Sequence, residues 1–444
     1  MIDELNKEAF ELINLVISKP KEVPKEPTEF VGSSKERGFN DWSDKLVGAM
    51  VERGTDHAGK TIEIYLVDEN GSYGFNRIQY VRFNKLIQNL HSTEQLNQKI
   101  SLKFIEAESF NWVIEVYKNQ QAVSNLYNYL ITKAEAEIKA YTFYFPILNL
   151  EIEQSFKIGQ AEFMYFTKEY FDNLYKILRA KDDTYTEEYF SQIFRKDFQG
   201  QVLAKITVTA EKEKAEEIAK QDSEIAVDVL KLYSESAIVP ERKTMFDLNY
   251  KLGYQVQSNF LTQKANESDG LSISTKFNNY PLNITKRLYQ SASQSGLKIF
   301  SEYISLKKKD ELHEIIIQSI HLFGSAISNW DLHLRCVNLI TILESIFLQA
   351  EESNNMEHKT KARLSKALTD KHQEKERIKS IFSNIYQVRH KMIHKAKRIE
   401  IDSKELSEAQ MNMVKLFLRL IELNTKFGFK DKETLIQKLN EINS

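Results

Sequence analysis

The sequence has very little cysteine and no long apolar run. Cys336 is the single cysteine in 444 residues, so an internal disulfide and zinc sites built on paired cysteines are excluded. Histidine and carboxylate side chains remain as the metal ligands on offer, and there are nine histidines. No apolar stretch approaches the ~20 residues of a membrane-spanning helix. Because the N-terminus also lacks the basic start and apolar stretch of a secretory signal, we expect a cytoplasmic protein with no membrane partner.

The common motifs of nucleotide-dependent and covalent catalysis are missing too. There is no glycine-rich phosphate loop ending in Lys-Ser/Thr and no Gly-x-Gly-x-x-Gly sequence after a predicted strand. A serine nucleophile elbow is absent. Cys336 stands in the apolar stretch Arg335-Cys-Val-Asn-Leu-Ile, which is typical of a core thiol rather than a reactive one. We therefore predict no P-loop, dinucleotide or thiol chemistry and no cofactor.

The chain is too long for one ordinary core, and its pattern changes class near residue 283. Before that point, short runs of β-branched and aromatic residues predict strands, whereas the remainder is almost wholly helical in pattern. We predict an α+β protein: a mixed α/β region of short strands, then an all-α helical bundle. The predicted divisions are an N-terminal helix with a proline-containing linker, a mixed α/β sensor or regulatory domain, a connecting β-then-helical region and a helical domain, at 1–30, 31–235, 236–329 and 330–444.

The individual elements follow from the same patterns. Strands are predicted at 61–67, 78–83, 100–105, 112–117, 141–148, 161–166, 201–209, 254–260 and 271–277. Helices are predicted near 3–17, 123–139, 168–180, 185–195, 211–234, 284–305, 309–328, 331–350, 359–368, 373–396 and 404–425, with a short last one.

The charge is unevenly distributed although the net charge is only −2. Residues 330–444 carry 21 basic and 16 acidic side chains. Within residues 359–398 there are 13 basic and 3 acidic side chains, a local excess of +10. Such an excess favours binding of a polyanion, and the alternative is a solvated helical face.

One arginine falls on an apolar helix face. On a helix that advances ~100° per residue, Arg389 lies inside an apolar arc formed by Ile381, Phe382, Ile385, Val388, Met392 and Ile393. An unpaired buried guanidinium costs several kcal/mol, so a carboxylate or a phosphate is expected opposite it. Glu344 lies among the apolar residues of the predicted helix 331–350. We predict an Arg389–Glu344 pair across two packed helices; the alternative is that this pair only fixes helix register.

His390 and His394 lie four residues apart, hence on one face of the same helix. Such a pair can bind a metal ion, but the metalloprotease glutamate is missing between them, and Lys395, Lys397 and Arg398 would repel a cation. We therefore predict no metal site. An imidazole beside a fixed arginine and a basic surface suits phosphodiester chemistry on RNA, where imidazole moves protons and guanidinium neutralises developing charge.

Arg389, four intervening residues and His394 match the Arg-x-x-x-x-His signature of HEPN domains (higher eukaryotes and prokaryotes nucleotide-binding). The setting matches as well, with an upstream helix containing Glu344, a polar stretch at 351–358 and then the motif helix. The segment 330–425, about a quarter of the chain, resembles the HEPN domain of ApeA-like prokaryotic anti-phage proteins.

This resemblance implies a metal-independent endoribonuclease that uses the RNA 2′-hydroxyl as nucleophile and leaves a cyclic phosphate. His394 would be the general acid or base, Arg389 the group that positions the phosphate and stabilises the transition state, and Glu344 the residue that orients Arg389. Members of the family often carry Asn or Asp after the motif arginine, where this chain has His390. The side chains expected to bind RNA are His390, Lys391, Lys395, Lys397 and Arg398.

The resemblance also implies a homodimer in which two motifs face one cleft. Arg389 and His394 lie ~140° apart on a regular helix. They would meet at one phosphate if the helix ended or kinked near Met392, or if a second subunit supplied one of them. From the arrangement of the chain alone, residues 31–235 are assigned as a sensor or regulatory module that would restrain the nuclease until a phage-derived trigger appears, since a toxic nuclease needs restraint. The alternatives are a non-catalytic HEPN scaffold that binds RNA, nucleotide or a partner protein, and a helical adaptor without a nucleic-acid function.

Overall fold

The computed structural model describes residues 2–20, 50–119, 121, 124–179, 188, 192, 198–242, 246–251, 257–263, 271–277, 281–306 and 310–441. The predicted linker around Pro24 and Pro27 and most of the predicted helix 185–195 lie outside these residues. The chain divides into two compact units, Met1–Tyr141 with Val208–Ile218, and Thr142–Thr207 with Ala219–Ser444. These boundaries differ from the predicted divisions at 30, 235 and 329.

The first unit combines an antiparallel sheet with helices. Its elements are α1 (Ile2–Ile13), β1 (Ile17–Pro20), β2 (Met50–Thr55), β3 (Thr61–Asp68), β4 (Gly71–Phe75), α2 (Arg77–His91), α3 (Glu94–Asn97), α4 (Leu102–Asn119) and α5 (Leu126–Glu137). The strand order is β1-β4-β3-β2, and each neighbouring pair is antiparallel. Phe75 of β4 stacks on Phe83 of α2 and meets Phe110 of α4 edge-on, which joins the sheet to the helices.

Three predicted strands in this unit are wrong. Residues 78–83 belong to α2, and the runs at 100–105 and 112–117 fall at the start and within α4. Helix α4 is buried over much of its circumference, at Phe104, Ile105, Phe110, Trp112, Val113, Ile114 and Val116. Because a helix buried on several sides needs apolar residues at consecutive positions, its sequence resembles that of a buried strand. Strand 61–67 and helix 123–139 are confirmed as β3 and α5.

Residues 139–284 contain the remaining strands. The elements are β5 (Lys139–Leu148), β6 (Leu150–Ile152), β7 (Phe156–Ile158), β8 (Ala161–Tyr165), α6 (Lys168–Arg179), β9 (Val202–Ala210), α7 (Lys212–Lys231), α8 (Glu235–Ile238), β10 (Asp247–Leu248), β11 (Gln257–Gln263), β12 (Leu271–Phe277) and β13 (Leu282–Ile284). A five-stranded sheet has the order β10-β5-β9-β8-β7. Strands β11 and β12 pair antiparallel, and β13 pairs parallel with β6.

The rest of the described chain is helical, which confirms the predicted α+β class. The helices are α9 (Lys286–Ala292), a π-helical turn (Ser293–Leu297), α10 (Lys298–Ile304), α11 (Glu311–Ile327), α12 (Leu332–Phe347), α13 (Met356–Leu368), α14 (His372–Lys395), α15 (Ser403–Phe427) and α16 (Lys432–Glu441). The single helix predicted at 284–305 is interrupted because Gly296 has a φ of 105°. A Cβ atom on Gly296 would lie 2.5 Å from Cδ2 of Leu418, so glycine permits both the turn and the contact with α15.

The connection between α12 and α13 is fixed by Arg363. Its guanidinium donates to both carboxylate oxygens of Glu352, at 2.5 and 2.8 Å, and to the carbonyl oxygen of Phe347 at 2.5 Å. Lys359 approaches the same carboxylate at 3.2 Å. The hydrogen bonds from Arg363 lower the pKa of Glu352 to about 2. This pair sets where α13 begins, because Glu352 lies only a few residues before Met356.

We expect Glu352→Gln to lower the free energy of unfolding at neutral pH and to change it little at acidic pH. Because the folded-state pKa of Glu352 is depressed, its stabilisation is present above the unfolded value near ~4.5 and is lost as the pH falls toward ~2. Urea unfolding should show a loss of about 2 kcal/mol at about pH 7, shrinking by about pH 3. The matched control is Glu351→Gln, since Glu351 is exposed. Equal effects of the two variants at pH 7 would contradict this assignment.

Candidate functional site

The predicted pair between α12 and α14 is present. Nη1 of Arg389 donates to Oε1 of Glu344 at 3.0 Å, and Nη2 lies 3.0 Å from Oε2. The Glu344 side chain is 14% exposed and that of Arg389 is 30% exposed. The two helices pack closely against each other. One hydrogen bond and a second nitrogen 3.0 Å from the other oxygen of a largely buried carboxylate hold the guanidinium in one orientation.

Tyr386 supports this pair from one turn earlier on α14. Its hydroxyl donates to Oε1 of Glu344 at 3.3 Å. Burial raises the pKa of Tyr386 well above its usual value, so the hydroxyl stays protonated and remains a donor. Of the five N–H donors of the Arg389 guanidinium, one on Nη1 donates to Glu344, and Nη2 lies 3.0 Å from the second carboxylate oxygen. The guanidinium can donate its remaining N–H groups to a ligand such as a phosphate.

Arg389 and His394 line one surface pocket of about 400 Å³. The remaining residues around it are Glu344, Met356, Glu357, Tyr386, Gln387, His390 and Lys391. Five of the predicted site residues therefore meet here, and Lys395, Lys397 and Arg398 lie outside the lining. The ring centroids of His390 and His394 are 5.0 Å apart, as expected for residues on one helix face. The pocket thus combines a fixed guanidinium, two imidazoles and an ammonium group.

Helix α14 does not end near Met392. It continues to Lys395 and stops at Ala396, whose φ of 48° is left-handed. The amide of Lys397 then donates to the carbonyl oxygen of Lys391 at 3.0 Å. Arg389 and His394 line the same pocket although the helix is continuous between them.

About half of the basic side chains of residues 359–398 are paired with carboxylates in the folded protein. Seven of the thirteen cations lie within 4 Å of a carboxylate: Lys359, Lys361, Arg363, Arg377, Lys379, Arg389 and Arg398. Arg398 is held 2.5 Å from Asp331, at the N-terminus of α12. Among the described residues, the other six cations have no such partner: Lys366, Lys371 and Lys375 around the start of α14, and Lys391, Lys395 and Lys397 toward its end. Half of these unpaired cations therefore lie at the His394 end of α14.

Four residues of the pocket were not predicted. Tyr386 and Gln387 precede Arg389 by three and two positions, and helical spacing alone would have placed Tyr386 beside it. Met356 and Glu357 come from the start of α13, and no local signal in the sequence places them there. Glu357 is itself held by Lys361 at 2.6 Å.

Three further predictions concern metal binding, the environment of the Cys336 thiol and membrane-spanning helices. Within the ranges that the structure describes, no three His, Cys, Asp or Glu side chains are grouped closely enough to hold a metal ion. Cys336 is buried in α12, and burial raises its pKa to about 12, which confirms the prediction of a core thiol. Across the same described ranges, none of the helices has the length and apolar character needed to span a bilayer.

Comparison with known proteins adds no relative: no protein-family model, no curated protein and no solved structure matches this chain.

Proposed function

We propose that the helical part of the second unit is a metal-independent endoribonuclease of the HEPN type. The observation that carries this proposal is the Arg389 guanidinium, oriented by Glu344 and facing the same pocket as His394. A fixed guanidinium with free donors binds a phosphodiester and stabilises charge that develops on its oxygens. A neighbouring imidazole supplies proton transfer near neutral pH.

The proposed reaction begins with the RNA 2′-hydroxyl as nucleophile. Its oxygen bonds to phosphorus while the bond from phosphorus to the 5′-oxygen breaks, which yields a 2′,3′-cyclic phosphate and a 5′-hydroxyl. The proton lost by the 2′-hydroxyl goes to a base, and the leaving 5′-oxygen gains a proton from an acid. His394 performs one of these transfers. His390, whose ring is 5.0 Å away, or a water molecule performs the other.

The free lysines extend this proposal to the flanking RNA. Lys391 lines the pocket, and Lys395 and Lys397 follow at the end of α14. Ammonium groups without a carboxylate partner can bind phosphates of neighbouring nucleotides. Arg398 is already paired with Asp331, so its main contribution is to the start of α12. RNA binding by these lysines should weaken with salt.

The first experiment measures cleavage of total RNA by wild type, Arg389→Ala and His394→Ala, each in the presence of a chelator. Cleavage by wild type that both substitutions abolish supports the proposal, provided that both variants keep the wild-type melting temperature. If purified wild type does not cut RNA, the same three proteins are compared in cells under phage challenge. Equal protection by wild type and both variants would contradict the nuclease.

The second candidate is a non-catalytic scaffold that binds RNA, nucleotide or a partner protein. The Arg389–Glu344 pair with its Tyr386 contact favours it, since such a pair also fixes the packing of two helices. In a scaffold, Arg389→Ala lowers the melting temperature while His394→Ala leaves every RNA property unchanged. If the protein is a nuclease, His394→Ala instead abolishes RNA cleavage.

The biological setting of the proposal is anti-phage defence in the cytoplasm. The N-terminal region would restrain the nuclease, and a phage-derived trigger would release it and arrest growth of the infected cell. The anti-phage setting follows from the sequence resemblance to ApeA-like proteins over 330–425, and the restraint follows from the arrangement of the chain alone. It adds no residue to the site.

We also propose a homodimer whose interface lies beside the motif. Large apolar side chains are exposed there, with Ile393 55% and Leu334 37% exposed. Ile393 precedes His394 on α14, and Leu334 lies on α12.

Light scattering should give twice the chain mass for wild type, and Ile393→Glu should halve it because a buried glutamate without a partner opposes association. Ile78→Glu is the matched control, since Ile78 is 77% exposed in the first unit. A wild-type protein that is monomeric at all concentrations would contradict the dimer.

A further inference from the structure

A second group of titratable side chains lies in the second unit, apart from the Arg389 pocket. It connects α7, the segment 247–251 and α11. We call it the Asp228 cluster, and its members are Glu224, Asp228, Lys231, Asp247, Tyr250, Lys251 and His321.

Asp228 is the centre of the cluster. Its side chain is 2% exposed, with Oδ1 accepting from Nζ of Lys231 at 2.9 Å and Oδ2 lying 2.5 Å from Nδ1 of His321. Lys231, 4% exposed, also donates to Oδ2 of Asp247 at 2.6 Å. A Cβ atom on Gly324 would lie 2.5 Å from Oδ1 of Asp228. The glycine therefore lets α11 approach the buried carboxylate, so that His321 can reach it.

The outer part of the cluster is more accessible. Glu224 precedes Asp228 by one helical turn, accepts from the hydroxyl of Tyr250 at 3.0 Å and forms an ion pair with Nζ of Lys251 at 2.7 Å. The His321 side chain is 30% exposed, so its proton can exchange with solvent. The opposite face of α11 is apolar, and there Phe323 meets Phe417 of α15 edge-on at 5.6 Å. The charges that face His321 thus come from α7 and from the segment 247–251.

The cluster has a charge imbalance that protonation of His321 corrects. Three carboxylates, on Glu224, Asp228 and Asp247, face two ammonium groups, on Lys231 and Lys251. The sum is zero when His321 is an imidazolium and −1 when it is neutral. Because Asp228 and Lys231 are almost fully buried, an unbalanced charge here is costly. The hydrogen bond to Asp228 raises the pKa of His321 above its usual value of 6.5, against the opposing effect of burial.

We propose that the Asp228 cluster is a proton-operated latch, in which protonated His321 holds α11 against α7 and the segment 247–251, and deprotonation loosens that attachment. Strand β10 in this segment pairs with Ile147 and Leu148 of β5. Helix α11 packs against α12, which carries Glu344. The latch thus connects the five-stranded sheet to the helices of the candidate site. It does not depend on the proposed nuclease activity.

The direction of the pH dependence follows from the raised pKa. Stabilisation by His321 is fully present below the unfolded-state value near ~6.5 and is lost as the pH rises through the folded-state value. If the pKa of His321 is one unit higher in the closed latch than in the open latch, deprotonation lowers the ratio of closed to open latch about tenfold.

The test uses the full chain and two readouts. The His321 imidazole is titrated by NMR in wild-type protein with labelled histidine, and hydrogen exchange of residues 247–251 and α11 is measured from about pH 6 to about pH 9, corrected for the intrinsic rate. We expect His321 to titrate above ~6.5 and protection of these amides to fall about tenfold per unit of pKa shift. His321→Gln should remove this pH dependence, whereas His57→Gln, a change at an exposed histidine, should preserve it.

Two results would overturn the latch. One is a pKa of His321 in the wild-type protein at or below the ordinary value for histidine. This measurement does not depend on the folding of any variant. The other is a His321→Gln protein whose protection against exchange keeps the wild-type dependence on pH.

Discussion

Arg389→Lys is expected to lower RNA cleavage by at least about 100-fold although it preserves the charge. The guanidinium donates from Nη1 to Glu344, has Nη2 3.0 Å from the second carboxylate oxygen, and keeps its remaining N–H groups for the substrate. A lysine ammonium is a point charge on a flexible stem, so it can satisfy Glu344 or a phosphate but cannot orient itself between them. Initial rates with chelator present, on a single labelled RNA, measure the effect.

The matched control for this substitution is Arg398→Lys. Arg398 lies near the same end of α14 and pairs with Asp331 outside the pocket, so its replacement should change the rate by no more than about threefold. Cleavage by Arg389→Lys within about tenfold of wild type would contradict the role given to the guanidinium. A large fall in melting temperature without a loss of rate would instead favour a pair that only fixes helix register.

Arg335→Met is expected to cost about 3 kcal/mol of unfolding free energy. Arg335 is 1% exposed, and its guanidinium donates to the carbonyl oxygen of Asn329 at 2.6 Å and to that of Pro240 at 3.0 Å. It thereby joins the start of α12 to the segment after α8. Methionine fills similar volume but leaves these carbonyl oxygens without their donor. Burial lowers the pKa of Arg335 to about 10, yet it remains charged near neutral pH.

Chemical unfolding at neutral pH, followed by helical circular dichroism, gives the size of this effect. Arg419→Met is the control, since Arg419 makes an exposed i,i+3 pair with Glu422 and should change stability by less than about 0.5 kcal/mol. A loss below about 1 kcal/mol for Arg335→Met would mean that water replaces the guanidinium at the two carbonyl oxygens.

The spacing of apolar residues along the chain was sufficient to predict many helices of the C-terminal region. The predicted helices at 309–328, 331–350, 373–396 and 404–425 correspond to α11, α12, α14 and α15 within a few residues. Their apolar residues recur at helical spacing with polar residues between them, which no strand would tolerate. The pattern misled at α4, because a helix buried on several sides has no polar face to reveal its period. It misled at α2 because Ile78 and Val81 are apolar but exposed, so that residues 78–83 resemble a strand.

The Arg389–Glu344 pair was also predictable, since a charged side chain on an apolar face requires an opposite charge across the packing interface. Sequence placed His390, Lys391 and His394 near it for the same reason of helical spacing. What sequence could not tell was which of the basic residues would remain free. Arg398 and Lys391 look alike in a charge count, but only the fold places Asp331 beside Arg398.

Contacts between distant segments were decided by the tertiary structure alone. Met356 reaches the pocket because the Arg363–Glu352 pair fixes where α13 begins. Asp228 and His321 are 93 residues apart, and neither has a sequence neighbour that predicts the other. Composition and periodicity determined the helices and one ion pair, because these depend on spacing along the chain. The pocket lining, the free lysines and the Asp228 cluster depend on which surfaces pack together, and that choice belongs to the whole fold.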